Sequence, residues 1–167
     1  MSETPATDGT NGQPETANQQ PPRLSIVTQY IRDLSFENPG AQRGQQQGRP
    51  QIQVRVEVRS QNVNEQNHEV TLDLNVEAKT GEDTVFLLEL SYSGLFSLAN
   101  IPNESLQPLL LIECPRLLFP FARRVVADVT RDGGFPPLMI DPIDFVSLYR
   151  RRVQQARQET NPPSATA

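Results

Sequence analysis

The sequence predicts an α+β domain in which an antiparallel sheet is laid down first and two helices follow. Three observations support this. The first half of the chain holds segments that alternate apolar and polar residues with period two, each with one polar face, which favours antiparallel pairing over a parallel sheet buried on both sides. From Leu106 onward the apolar spacing turns helical. The total of 167 residues suits one domain with polar tails and leaves no room for two.

Up to Pro22 the chain has no Val, Ile, Leu, Phe or Tyr, so nothing offsets the entropy of ordering it, and residues 1–23 are expected to form a disordered extension. The folded domain is expected over residues 24–158. Leu24 to Phe36 alternates imperfectly: Leu24, Ile26, Tyr30, Leu34 and Phe36 fall on one side, Val27 and Ile31 on the other, which predicts a bulged or twisted strand. Ile52, Val54, Val56 and Val58 against Gln51, Gln53, Arg55, Glu57 and Arg59 form a second strand. Val70, Leu72, Leu74, Val76 and Ala78 against Glu69, Thr71, Asp73, Asn75, Glu77 and Lys79 form a third.

Thr80-Gly81-Glu82-Asp83 reads as a turn, and the run after it, Thr84 to Tyr92, is apolar on both faces. Val85 and Leu87 lie on one, and Phe86, Leu88, Leu90 and Tyr92 on the other. Helices on one side of a sheet cover only one of these faces. The second needs another cover, from this chain or from a copy of it.

The helical stretch from Leu106 to Arg131 ends at Gly133-Gly134, a good C-terminal stop. Pro115 and Pro120 each remove a hydrogen bond and clash with the preceding turn, at about 3 kcal/mol in an unbent helix, so a kinked or broken helix is expected. A second helix is expected from Asp141-Pro142, where Asp caps and Pro suits the first turn. It aligns Phe145, Leu148, Tyr149, Val153 and Ala156 in one apolar stripe. Pro162-Pro163 stops any helix entering from the left, and residues 159–167 are expected to be a disordered tail.

Fifteen basic residues against twenty acidic ones leave a net charge of −5, which argues against a nucleic-acid partner held by a basic field. The acidity lies in the middle of the chain, whereas Arg150, Arg151, Arg152 and Arg157 against Glu159 make residues 150–167 basic. One cysteine excludes an internal disulfide, and the N-terminus lacks the pattern of a secretory signal, so a cytoplasmic location is expected. Apolar runs such as Leu109 to Ile112 fall far short of the roughly 20 residues that cross a bilayer, so no direct membrane insertion is expected.

Catalytic chemistry finds little support. The single histidine, His68, stands among Asn, Glu and Gln and reads as solvated, so neither a multi-histidine metal site nor a supported triad is indicated. Cys114, before Pro115 in an apolar run, reads as a buried inert thiol. Gly40, Gly44 and Gly48 match no phosphate-loop or dinucleotide spacing. Glu82 and Asp83 fall in a turn, where solvated acids are the ordinary reading and a hydrolase pair the rare one. No cofactor, metal or catalytic residue is expected. What remains is a small acidic domain whose apolar surplus suits binding to proteins, itself included, though composition alone does not separate that from ordinary core packing.

The stretch Cys114-Pro115-Arg116-Leu117-Leu118-Phe119-Pro120-Phe121-Ala122-Arg123 resembles the bacterial SecB export chaperone family, taken together with Gly81 to Leu90, Gly94-Leu95-Phe96-Ser97-Leu98 and Gly133-Gly134-Phe135-Pro136. Tyr30 to Pro39 is similar to the family's first-strand motif, so the resemblance covers about Leu24 to Val153. It implies a four-stranded antiparallel sheet with two helices, assembled as a dimer of dimers with Leu88, Leu90 and Tyr92 in the tetramer interface. It also implies ATP-independent holding of unfolded preproteins for the export motor SecA.

By the same resemblance the client path takes in Ile52, Val54 and Val56 of the second strand, Phe96, Leu98 and Ile101 of the connection after the fourth, and Phe145, Leu148 and Tyr149 of a terminal lid helix. The SecA dock takes in Asp33, Glu37, Leu87 and Glu89, three carboxylates around one apolar contact, which suits a basic partner. Two departures from the family pattern are a missing Trp before the second strand, where Gly48-Arg49-Pro50 stands, and the basic end. A SecB-like chaperone dedicated to one client, such as a toxin–antitoxin partner, is the alternative.

Overall fold

The computed structural model describes residues 20–43 and 49–160. Four strands, β1 (Arg23–Glu37), β2 (Gln51–Asn62), β3 (Asn67–Thr80) and β4 (Asp83–Ala99), form one antiparallel sheet in the order β1-β4-β3-β2. The helical half follows as α1 (Asn103–Pro108), a π-helical turn over Leu109–Glu113, α2 (Cys114–Asp132) and α3 (Phe145–Thr160). The expected disordered termini lie almost wholly outside the described residues. Arg23 already belongs to β1, and α3 runs on through Thr160.

β1 carries two register shifts, between Ile26 and Thr28 and between Ile31 and Asp33, which is the physical form of its broken alternation. β3 and β4 meet in a two-residue hairpin with Gly81 at φ +61°, a conformation that favours a residue without Cβ. β4 runs to Ala99, seven residues past Tyr92, so Phe96 and Leu98 are strand residues and not part of a connection.

Pairing in β3 and β4 sets Val70, Leu72, Leu74, Val76 and Ala78 beside Gly94, Tyr92, Leu90, Leu88 and Phe86 on one face. α2 covers that face with Cys114, Leu118, Ala122, Val125 and Val126, spaced to form one helical stripe. Leu88, Leu90 and Tyr92 are therefore the inner set, at 0%, 1% and 6% exposure. The tetramer interface in which the family resemblance puts them is not an open face of this chain: α2 of the same chain covers them, and Val85, Leu87 and Leu95 are the apolar residues left on the other face of β4. Gly94 permits the close approach of α2: a Cβ there would stand 2.8 Å from Leu118 Cδ2.

The helical stretch is interrupted as expected near Pro115, but not at Pro120. Pro108 and Pro115 flank the π-helical turn, and Pro120 is accommodated inside α2. Gly134, at φ +89°, turns the chain out of α2. Phe135 then returns to pack on Phe86, with ring centroids 4.9 Å apart. The cap of the last helix is corrected from Asp141 to Asp144, whose Oδ1 accepts the Ser147 amide at 3.0 Å while Ser147 Oγ donates to Oδ2 at 2.6 Å. Ile140 is buried, residues 136–144 carry no regular structure, and the helix begins at Phe145.

Candidate functional site: a cleft, an acidic sheet face and two apolar flanks

The helices cover the two central strands and leave both flanks of the same face open. On β1 Ile26, Ile31 and Leu34 are 41%, 46% and 39% exposed, and on β2 Ile52 and Val54 are 42% and 37% exposed. At the β2 flank a cleft of about 410 Å³ opens between β2, the π-helical turn and α3. Its apolar wall is Val56, Val58, Leu111, Leu148 and Tyr149. α3 is anchored at its start by Phe145, buried against Phe119 edge-to-face with centroids 6.3 Å apart. Further along, Arg152 Nη1 donates to the Val58 carbonyl at 2.8 Å.

The cleft brings together three residues of the expected client path, Val56, Leu148 and Tyr149, and Ile52 and Val54 lie exposed along the same strand. Phe96, Leu98 and Phe145 are instead core, at 0%, 6% and 1% exposure, and Ile101 packs partly buried against that core. Val58 and Leu111 were missed as lining residues, although Val58 continues the alternation of Ile52, Val54 and Val56 and so carried a usable signal. Arg151 and Arg152 of α3 also line the cleft, while Glu57 and Arg59 border it from β2 but alternate with Val56 and Val58 onto the opposite face, where Arg59 meets Asp73.

The opposite sheet face is polar. Glu37 pairs directly with Leu87, Ser35 with Glu89 and Asp33 with Ser91, so all four residues of the expected dock share this face, with the three carboxylates exposed. Deeper in the same face, the largely buried Glu69 carboxylate receives the Tyr30 hydroxyl and Arg32 Nη1, the latter at 2.7 Å. Asp73 accepts from Arg59 Nη2 at 2.8 Å and from Ser91 Oγ. Burial works to raise the Asp73 carboxyl, but the Arg59 guanidinium and the Ser91 hydroxyl outweigh it and hold it below the usual range.

His68 is corrected from a solvated loop position: it pairs with Asn62 and Phe96 within the sheet and is 8% exposed. The loop proper is Val63 to Gln66, where Asn64 Oδ1 accepts the amides of Gln66 and Asn67. Cys114 is fully buried, and desolvation, with Glu113 nearby, pushes its thiol up to about 12, so it is a poor nucleophile. Among the described residues no group of three or more His, Cys, Asp or Glu is placed to hold a metal ion, and no helix is long and apolar enough to cross a membrane.

A single antiparallel sheet with helices over its centre, an open apolar flank and a cleft beside it is the architecture of a protein-binding module. The family model described as preprotein translocase subunit SecB matches residues 17–156. The protein-export protein SecB of Rhodopseudomonas palustris strain TIE-1 is 48% identical over 158 residues, covering 93% of this chain and 99% of the relative. That of Dinoroseobacter shibae is 50% identical over 169 residues, covering 96% and 98%. Among solved structures, a Mycobacterium tuberculosis SecB-like chaperone in complex with a ChAD peptide from the HigA1 antitoxin superposes with a TM-score of 0.62 at 16% identity, over 72% of this chain and 91% of that one. The chain belongs to the SecB family of protein-export chaperones.

Proposed function

We propose that this protein holds unfolded preproteins in the cytoplasm without ATP and passes them to SecA for export, acting as a binder and not as an enzyme. The observation that carries the reading is the open β2 flank continuing into the cleft under α3: apolar surface that a folded protein ordinarily buries is left accessible beside a helix fastened at few points. Such a surface recognises any segment that exposes apolar side chains, gaining about 25 cal/mol per Å² removed from water. Ile52, Val54, Val56, Leu148 and Tyr149 form its path in this reading. Asp33, Glu37, Leu87 and Glu89 form the dock for a basic surface of SecA, with salt-sensitive affinity.

Self-assembly as a dimer of dimers belongs to the same reading, and the surface available for it is the β1 flank. Ile26, Ile31 and Leu34 there, with Leu117 and Phe121 on the outer side of α2 at 42% and 41% exposure, supply apolar surface for a second copy. Leu88, Leu90 and Tyr92 are covered within the chain, so they affect assembly only through the fold. The export reading stands ahead of a dedicated antitoxin chaperone because relatives about half identical over nearly the whole chain carry the export name, whereas the antitoxin-binding neighbour shares 16% of its residues.

The test is light scattering from a denatured, aggregating client diluted into buffer containing the full chain and no nucleotide. Suppression of aggregation by the native protein and its loss in Val56→Asp are expected; unchanged aggregation across several clients would remove the holdase function. Asp33→Lys with Glu89→Lys should weaken SecA binding while client holding persists, and equal SecA affinity would remove the dock.

A further inference from the structure

Arg32 and Asp33 are consecutive residues of β1 that face the same way. Neighbours in a strand ordinarily point to opposite faces, but the register shift between Ile31 and Asp33 leaves Arg32 without a partner on β4. The bulge brings both side chains onto the polar face, where Arg32 meets Glu69 and Asp33 lies opposite Ser91. What they touch differs. Arg32, its side chain 47% exposed, reaches across β4 to donate from Nη1 to Oε2 of Glu69 on β3 at 2.7 Å. The carboxylates of Asp33, Glu37 and Glu89 make no hydrogen bond or ion pair among the described residues.

The Glu69 side chain is only 8% exposed, a depth at which a carboxylate needs partners, and its Oε1 already takes the Tyr30 hydroxyl. A half-exposed guanidinium is thus fixed by a carboxylate beneath it and not by the exposed one of its sequence neighbour. The device recurs alongside: Asp73 holds Arg59 and takes the hydroxyl of Ser91, the cross-strand neighbour of Asp33.

We infer that Glu69 is a positioning residue of the acidic dock: it holds Arg32 away from Asp33 and so leaves the Asp33 carboxylate open to a basic partner. The inference rests on reading Asp33, Glu37, Leu87 and Glu89 as that dock. Without Glu69, Asp33 is the carboxylate beside the guanidinium on that face, and an internal Arg32–Asp33 pair competes with every basic side chain the partner brings.

Isothermal titration of SecA into the full chain at low salt tests this with a set of variants. Glu69→Gln keeps an oxygen for the Tyr30 hydroxyl but gives up the ion pair, and it should weaken SecA binding roughly two- to fivefold. Adding Arg32→Gln restores the net charge of the face and should restore the native affinity, although the bridge from β1 to β3 is as broken as before. In an Asp33→Asn background Glu69→Gln should cost nothing further. A role confined to bracing the sheet gives the reverse: Arg32→Gln rescues nothing, and the loss recurs in Asp33→Asn. Either of those results, or native affinity in Glu69→Gln, overturns the inference alone. Should Glu69→Gln fail to fold, Glu69→Asp keeps the charge and draws the carboxylate back by one methylene; a smaller loss that Arg32→Gln removes is expected, and no loss overturns the inference. SecA affinity in Asp33→Asn equal to that of the native protein, or no SecA binding by the native protein, overturns the dock reading and the inference together.

Discussion

Arg152 and Val58 are joined across 94 residues of sequence by a 2.8 Å hydrogen bond from the guanidinium to a strand carbonyl. It ties the middle of α3 to the edge strand β2, roofing the cleft, and α3 buries only Phe145 fully. Arg152→Ala should therefore loosen α3 without unfolding the sheet. A solvent-exposed bond of this kind contributes about 1 kcal/mol, or roughly a fivefold loss of protection. Hydrogen exchange over residues 145–160 should rise by that order while β3 and β4 amides stay protected; unchanged exchange in α3 would remove the tether.

Gly94 lies against α2 where no side chain fits. A Cβ would meet Leu118 Cδ2 and Phe96 Cε2, each at 2.8 Å, between fully buried neighbours. Gly94→Ala should overpack this site and cost about 1–3 kcal/mol in chemical denaturation. A variant as stable as the native protein would mean that α2 moves away freely.

Leu90 separates fold from assembly. It is 1% exposed in the intrachain core, so Leu90→Ala should lower unfolding free energy by about 2–5 kcal/mol. Leu117→Asp with Phe121→Asp changes two exposed side chains and should leave the circular dichroism spectrum intact while reducing native mass in light scattering. An unchanged mass in the double variant would place the self-contact elsewhere.

Asp73 links acid stability to the polar sheet face. Its carboxyl lies below the ordinary value in the folded state, so its contribution is present above about pH 4 and is lost as pH falls through the folded-state value. Asp73→Asn should lower the denaturation midpoint at pH 7, and the difference from the native protein should shrink progressively below about pH 4. A difference that stays constant with pH would show that Asp73 acts through packing alone.

Period-two alternation made β1, β2 and β3 legible, including the irregularity of β1, because each has one face to bury, whereas β4 is legible only from the turn before it and an apolar run that stops at Tyr92, short of its end at Ala99. Where both faces are apolar, as in β4, alternation names two sets and does not say which is inward; the packing of α2 decides it. Helical spacing located α2 and α3, but two aspartates precede the last stripe, and only the folded geometry shows that Asp144 is the cap. Asp33, Glu37, Leu87 and Glu89 came from a motif resemblance, and their common face follows from the β1–β4 register. The arginines of the cleft were visible as a basic end only, because their neighbours on β2 lie some 95 residues away in sequence.

The sequence by itself determined the strands, the broken helix, the inert thiol and the absence of a legible catalytic pattern, since each depends on local periodicity, backbone chemistry or composition. The tertiary structure decided which face of β4 is buried, that His68 is an interior residue, and that a cleft under α3 stands beside an open apolar flank. Those facts depend on which strand lies next to which and where α2 and α3 come to rest, and contacts between distant segments are set by packing of the whole chain, not by any window of it.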